Sequence, residues 1–196
     1  MGTVLRIGLP AVGVALAAFL LYVQTRPGRI HVERSATFAA PPAAVFPYLN
    51  DFHRWTQWSP FETDPDMERR FEGAPAGVGA VYRWRGDRTA GEGTSTIITS
   101  EPDRRVQMAL EFLAPMQASN VATFTLVPAT SGTRITWALD GSATFMSKLM
   151  GVVMDFDAMC GGQFEKGLAT LKGLVEPPAT AAQPLARAAT PHEGAM

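Results

Sequence analysis

Two carboxylates, Asp157 and Glu92, are the side chains whose sequence setting could support acid–base chemistry. Asp157 falls among methionines on an apolar stripe that repeats at helical spacing through Leu149, Met150, Val153, Met154, Cys160 and Phe164. A carboxyl group facing a greasy hollow has a raised pKa, suited to a general base or to hydrogen bonding a ligand. Asp155, in a regular helix, points about 160° away toward solvent. The competing reading of Asp157 is structural: it pairs with an arginine, or Gly161-Gly162 shifts the register and releases it to water. Asn120 shares a strand face with Phe124 and Leu126, so it either meets a ligand or is a buried amide satisfied by backbone. No catalytic residue is assigned. His31, His53 and His192 are dispersed, Cys160 on the flank of the stripe reads as a structural thiol, and no metal-ligand spacing is present. Gly77-Val78-Gly79 and Gly91-Glu92-Gly93 imitate part of a dinucleotide fingerprint, but each precedes a strand where that fingerprint opens a helix. No cofactor and no metal are expected.

The remaining candidates are binding residues. Trp55 and Trp58, followed by Ser59-Pro60, either line the mouth of a cavity or plug the gap between short helices and a sheet, since indole joins a large apolar surface to one donor. Trp84 shares a strand face with Tyr82 and reads as core. Met146, Met150 and Met154 suit a deformable wall. Adding the inward-facing strand residues gives a ligand-contact set of Trp55, Trp58, Trp84, Met108, Leu110, Asn120, Phe124, Trp137, Met146, Met150, Met154 and Asp157.

The elements that must position these residues follow from periodicity. His31 to Phe38 is a short strand. Pro41-Pro42 ends it and sets up a first helical turn, where a missing amide proton is harmless. Val45, Phe46 and Leu49 give that helix its stripe, Asn50-Asp51 closes it, and a second short turn runs from Phe52 to Trp58. Six alternating runs follow: Met67 to Phe71, Ala80 to Arg85, Thr94 to Thr99, Val106 to Phe112, Ala118 to Val127 and Thr133 to Asp140. They are separated by Gly, Pro, Asp and Ser clusters of hairpin type. Val106, Met108, Leu110 and Phe112 face one way, and Ile135, Trp137 and Leu139 repeat the pattern, as an antiparallel sheet covered on one side requires. One long amphipathic helix from about Thr144 to Val175 supplies the cover, with a kink or a close backbone contact expected at Gly161-Gly162. A single helix across a curved sheet predicts a cup whose hollow its own side chains do not fill.

Composition narrows the function. Hydrophobic residues make up 46% and charged residues 18% of 196, and the net charge of -1 leaves no polyanion footprint, so nucleic acid is excluded as an expected partner. A lone cysteine permits no internal disulfide. Residues 1–26 read as a transmembrane anchor, because Ile7 to Thr25 carries no charged side chain and spans roughly 28 Å as a helix. No small-x-small cleavage site follows it. The expected location is therefore the cell membrane, single-pass, with the side of the soluble domain left open by the flanking arginines. Residues 27–176 form the folded domain, and the Pro/Ala-rich stretch 177–196 reads as a disordered tail.

The order Ala40-Pro41-Pro42-Ala43-Ala44-Val45-Phe46, Trp55-Thr56-Gln57-Trp58-Ser59-Pro60, Gly77-Val78-Gly79-Ala80, Gly91-Glu92-Gly93 and Phe164-Glu165-Lys166-Gly167-Leu168 resembles the SRPBCC superfamily. Within that superfamily it is most similar to the polyketide cyclase/dehydrase and lipid-transport branch. The resemblance implies an α+β helix-grip fold: a seven-stranded curved antiparallel sheet wrapped around a long C-terminal helix, with two short helices after the first strand. The resemblance does not settle function; the methionine-rich helix facing dry strand faces of Phe, Leu, Ile and Trp, with the N-terminal segment, gives as the expected function a membrane-tethered binding protein for a hydrophobic or amphipathic small molecule, of lipid, isoprenoid or polyketide-like character. The alternatives are a cyclase or dehydratase using Asp157 or Glu92 in the same cavity, and an interaction module with a collapsed cavity.

Overall fold

The computed structural model describes residues 2–143, 145–153 and 155–176; the side chains of residues 2–11, 146 and 153 lie outside the description. The expected tail, Met154 and the Met146 side chain therefore fall outside the described residues. After α1 (Gly2–Thr25) come β1 (Arg29–Phe38), α2 (Pro42–Asn50) and a 3₁₀ turn (Phe52–Gln57). The strands β2 (Glu68–Gly73), β3 (Ala80–Arg85), β4 (Glu92–Glu101), β5 (Arg105–Ala114), β6 (Ala118–Ala129) and β7 (Gly132–Ser142) follow, then α3 (Phe145–Val153) and α4 (Phe156–Val175). The sheet is antiparallel with order β1-β7-β6-β5-β4-β3-β2, a meander with β1 returned to its far edge. This is the helix-grip arrangement that the resemblance implies, a seven-stranded antiparallel sheet with a C-terminal helix and short helices after β1.

Local chemistry explains the joints. Pro42 occupies the first turn of α2, where it fits without loss of a bond, and the Asp51 side chain accepts from the His53 amide to start the 3₁₀ turn. The expected single helix over residues 144–175 is instead two. Asp155 adopts extended geometry (φ -79°, ψ 96°) and its side chain accepts from the Ala158 amide, so it caps α4 rather than continuing α3. The glycine pair sits inside an unbroken helix, and Gly161 is the close contact: an added Cβ would lie 2.1 Å from the Arg34 guanidinium.

One half of the concave face is packed shut. Phe38, Val45, Leu49, Phe52, Trp55 and Trp58 descend from β1, α2 and the 3₁₀ turn to meet Ile97, Val106, Met108, Phe124, Leu126 and Ile135 of the sheet, with Leu168 and Leu171 of α4 above them, all buried. In this half the hollow expected from the sequence is filled by the protein's own side chains. The aromatic rings dominate it, through edge-on contacts of 5.6 Å for Trp58 with Trp137 and 5.9 Å for Trp58 with Phe124.

At the other extreme, the C-terminal end of α1 packs on α3. Val23 is fully buried, the Arg26 guanidinium donates to the Gly151 carbonyl (3.3 Å), and Lys148 Nζ donates to the Gln24 carbonyl (3.3 Å). Among the described residues no helix is long and apolar enough to cross a membrane.

Two glycines of α4 separate helix propensity from packing. At Gly167 an added Cβ would sit 2.8 Å from Pro60 and 3.0 Å from Trp137, whereas at Gly162 it would meet nothing within 4 Å. Replacing Gly162 by alanine therefore stabilises the fold by about 1 kcal/mol. Gly167→Ala gains the same propensity but overpacks a contact costing about 1–3 kcal/mol, for a net loss of up to about 2 kcal/mol. Urea denaturation of both variants checks the opposite signs.

Candidate functional site

Residues opposite one another in antiparallel strands share a face, so the register orders the concave surface into rows. One row runs Ile97, Met108, Ala122, Leu139 and Val32, all buried. The next, toward the α3 end, runs Tyr82, Ser95, Leu110, Asn120, Gly141 and Ile30. Tyr82 and Ser95 are buried, but Leu110, Asn120, Gly141 and Ile30 are only half-buried. Beyond them Trp84, Gly93 and Phe112 form a shorter row, with the Trp84 ring edge-on to Phe112 at 5.7 Å. Small residues mark this end. Gly93 leaves room for the Trp84 ring, which lies 2.5 Å from its would-be Cβ, and Gly141 leaves room for the Asn120 carboxamide, 1.9 Å from its own. The concave face thus passes from a sealed aromatic half to an incompletely covered half with one polar group per few apolar ones.

One buried row inside the sealed half, the ring of Trp137 stacks on Phe164 of α4 at 4.2 Å with planes 8° apart. Phe61, itself nearly half exposed, stands edge-on to both rings at 6.1 and 6.5 Å. Of the sequence candidates, Trp55, Trp58, Met108, Phe124 and Trp137 lie in or bordering the sealed half, where Trp55 and Trp58 plug the gap between the 3₁₀ turn and the sheet. Trp84, Leu110 and Asn120 lie in the open half. Met150 is exposed on α3.

The candidate carboxylates are elsewhere. Asp157 lies in the first turn of α4 with its side chain 58% exposed, and Arg34 reaches it at 2.8 Å. Arg34 comes from the concave face of β1, passes beneath Gly161, and bonds Glu165 at 3.0 Å with its other edge. Asp157, Gly161 and Glu165 are spaced by four, so both carboxylates flank the glycine on one helical face. The Arg34 guanidinium holds the Asp157 carboxyl below the usual aspartate range, the reverse of a group tuned as a base near neutrality. Glu92 lies on the convex side, bonded to Arg85 at 2.9 Å and held low by it. It lines a shallow cleft of about 260 Å³ with Glu68, Arg70 and Arg83. Cys160 is half-buried, and burial together with Asp157 pushes its thiol up to about 11, far from a reactive thiolate.

Two features escape sequence reasoning. Glu62, in the loop after the 3₁₀ turn, is almost fully buried; it accepts from the Tyr82 hydroxyl (2.6 Å) and from Arg69 Nε (2.7 Å). Arg69 also donates to the carbonyls of Met67 and Asp64, which ties the whole 59–67 loop to the concave sheet. Burial first, then Glu62, raises the Tyr82 phenol well above its ordinary value. Ser95, in turn, is buried in a strand with its hydroxyl unpartnered, as are the indole N–H groups of Trp55 and Trp137. The only usable signal for Ser95 was a polar residue at an apolar position in β4. Among the described residues no group of three or more His, Cys, Asp or Glu is placed to hold a metal ion.

Comparison with known proteins places this arrangement. The family model described as polyketide cyclase / dehydrase and lipid transport matches residues 29–176. No curated protein matches the chain. Among solved structures, protein CV1439 from Chromobacterium violaceum aligns with a TM-score of 0.54 at 18% identity, over 78% of this chain and 100% of its own. The Aha1 dimer protein from Colwellia psychrerythraea aligns at 0.54 and 15%, over 75% of this chain and 96% of its own. DynU16, from the dynemicin biosynthetic locus, aligns at 0.51 and 18%, over 73% of this chain and 46% of its own. At these identities the likeness is one of fold.

Two results are expected from the polar contacts. Glu62→Gln weakens charge-assisted bonds to Tyr82 and Arg69 and lowers stability by about 1.5–3 kcal/mol by chemical denaturation. His31, bonded to Asp140 at 2.7 Å, has its pKa raised above 6.5, chiefly by that bond. Its contribution is fully present below pH 6.5, the unfolded value, and is lost as pH rises through the folded value. An NMR titration of His31 accordingly shows a midpoint above 6.5 that drops in Asp140→Asn.

Proposed function

From the premise that the chain belongs to the polyketide cyclase / dehydrase and lipid transport family, we propose that it is a membrane-tethered carrier for a hydrophobic or amphipathic small molecule. The observation that carries this reading is the half-open concave face. Leu110, Phe112, Ile30 and Trp84 remain half-buried there while the rest of the same surface is sealed. Apolar surface left facing a concavity is stabilised by any apolar molecule that covers it.

The tether rests on α1. Its described part keeps Val12, Val14, Leu16 and Leu21 more than half exposed on opposite sides of the helix, apolar surface with no protein over it. A lipid surface would cover it. Such a tether keeps the open end of the cup close to the phase into which greasy cargo partitions.

The cyclase or dehydratase alternative needs a carboxylate inside the concave space. Asp157 and Glu92 each sit on an arginine at the surface, so the carrier reading is preferred. The collapsed-module alternative draws on the sealed half, but it leaves the open half without a role.

Organic extraction of the purified full chain, followed by mass spectrometry, tests the carrier function. The expected result is a stoichiometric apolar compound, and a chain that never retains one from any membrane extract would refute it. For the tether, a chain lacking residues 2–25 moves from the membrane fraction to the soluble fraction on centrifugation.

A further inference from the structure

We infer that the junction of α1 with α3 docks on the anionic headgroups of a lipid bilayer through Arg26, Arg29 and Lys148. The inference rests on the tether reading above and specifies the surface chemistry that the tether meets.

The first support is a local excess of positive charge. Residues 1–32 and 141–154 contain no Asp or Glu, and their Lys and Arg residues are Arg6, Arg26, Arg29 and Lys148, in a chain whose net charge is -1. The last three come together at one end of the fold. Arg26 donates to the Gly151 carbonyl of α3 and Lys148 to the Gln24 carbonyl of α1, both at 3.3 Å. Arg29 opens β1 directly after Gly28, whose carbonyl accepts from the Ala143 amide just ahead of α3 (3.0 Å). A carbonyl carries no formal charge, and one such bond leaves the guanidinium four further N–H donors and the ammonium two. Arg29 is exposed and makes no hydrogen bond or ion pair among the described residues. The carboxylates nearest in sequence have other partners: Glu33 and Asp140 approach His31, and Asp155 caps the Ala158 amide. Phosphate oxygens would find charged donors here that no carboxylate of the chain has taken.

The second support is where these charges stand. Leu21 and Tyr22, in the last turns of α1, are at least half exposed, and the Arg26 guanidinium lies over the Tyr22 ring, 5.9 Å from its centroid. The exposed apolar run of α1 therefore ends in an aromatic ring and then a cation one turn later, the order in which hydrocarbon, interface and headgroups are met on leaving a bilayer. On the other side of the junction α3 exposes Phe145 and Met150. A soluble polyanion would use the charge and leave this apolar surface in water, and a neutral bilayer would cover the apolar surface and leave the charge unused. An anionic bilayer satisfies both.

The test is native mass spectrometry of the full chain released from dodecyl maltoside after equilibration with dioleoylphosphatidylglycerol or dioleoylphosphatidylcholine, which share their acyl chains and differ in headgroup charge. The expected result is retention of phosphatidylglycerol at a concentration at least about tenfold lower, since each cation near an anionic lipid surface is worth about fivefold. Arg26→Gln, Arg29→Gln and Lys148→Gln combined keep an N–H donor for both carbonyls and bring the two lipids level, with phosphatidylcholine retention unchanged. Arg26→Lys with Lys148→Arg keeps the charge and keeps the preference. Should the triple variant lose its native circular dichroism, Arg29→Gln alone decides, with phosphatidylglycerol weakened about fivefold. Equal retention of both lipids by the unaltered chain, retention of neither, a preference that survives the folded charge-removing variant, or one lost in the charge-keeping variant overturns the inference. The tether reading falls with it only if the full chain also sediments in the soluble fraction.

Discussion

The stack of Trp137 on Phe164 is the contact on which the rest of the structure turns. It joins α4 to β7, and the rings of Trp58, Phe124 and Phe61 are arranged around it. Trp58 and Phe124 approach Trp137 from the side of the 3₁₀ turn, and Phe61 closes from above. On one side of the stack, bulky residues from α2 and the 3₁₀ turn fill the sheet's concavity. On the other, beyond the buried row through Met108 and Ala122, the sheet presents Gly93, Ser95 and Gly141, which are too small to fill it, and among the described residues no element descends to compensate. Packing at near-crystalline density on one side is therefore compatible with incomplete cover on the other, because a rigid core holds the sheet curved whether or not its open end is occupied.

On the concave face of the sheet itself, both arginines are paired with carboxylates. Arg34 belongs by strand parity to the concave face, where an unpaired guanidinium would be expensive, and the geometry deals with it by routing the side chain under α4 to two carboxylates. Gly161 is what makes the route possible: any side chain there would occupy the space of the guanidinium. One glycine in mid-helix, two carboxylates spaced by four on either side of it and one strand arginine form a single latch between β1 and the covering helix. Glu62, Tyr82 and Arg69 do the equivalent work at the opposite edge of the sheet, binding the 59–67 loop to β2 and β3. Both edges are thus held by ion pairs that consume their own charge, and the surface between them is left apolar and neutral.

Much of this was legible before any coordinates. The alternation in β5 and β7 placed Met108, Ile135, Trp137 and Leu139 on the buried face, since a period of two has one outcome once one face is covered. Pro41-Pro42 marked the start of α2, and the cost of glycines in a helix pointed to a kink or a close contact at Gly161-Gly162, of which Gly161 makes the contact and the helix shows no break. What failed to show did so for physical reasons. Asp155 reads equally well as a polar residue within a helix or as a cap, and only the Ala158 amide it accepts from decides between them. Asp157 lay at a position whose helical phase depended on that break. Glu62 sits in a loop without periodicity and finds Tyr82 twenty residues away. Arg34 finds its partners 123 and 131 residues away, a separation at which local pattern carries no information.

The cap at Asp155 also decides how the ends of the molecule are connected. The bonds of α3 run back toward α1, through Lys148 to Gln24 and Arg26 to Gly151, whereas those of α4 run to β1, through Arg34 to Asp157 and Glu165 and through Lys172 to the Thr37 carbonyl. A continuous helix would have joined the two sets rigidly. The Asp155 cap instead terminates one hydrogen-bond ladder before the next begins, so α4 keeps its grip on the sheet by contacts that owe nothing to α1 or α3. The covering helix and its aromatic stack then belong to the core, while α3 belongs with the apolar helix at the N-terminus, and the half-covered concave rows lie toward the α3 end of that division.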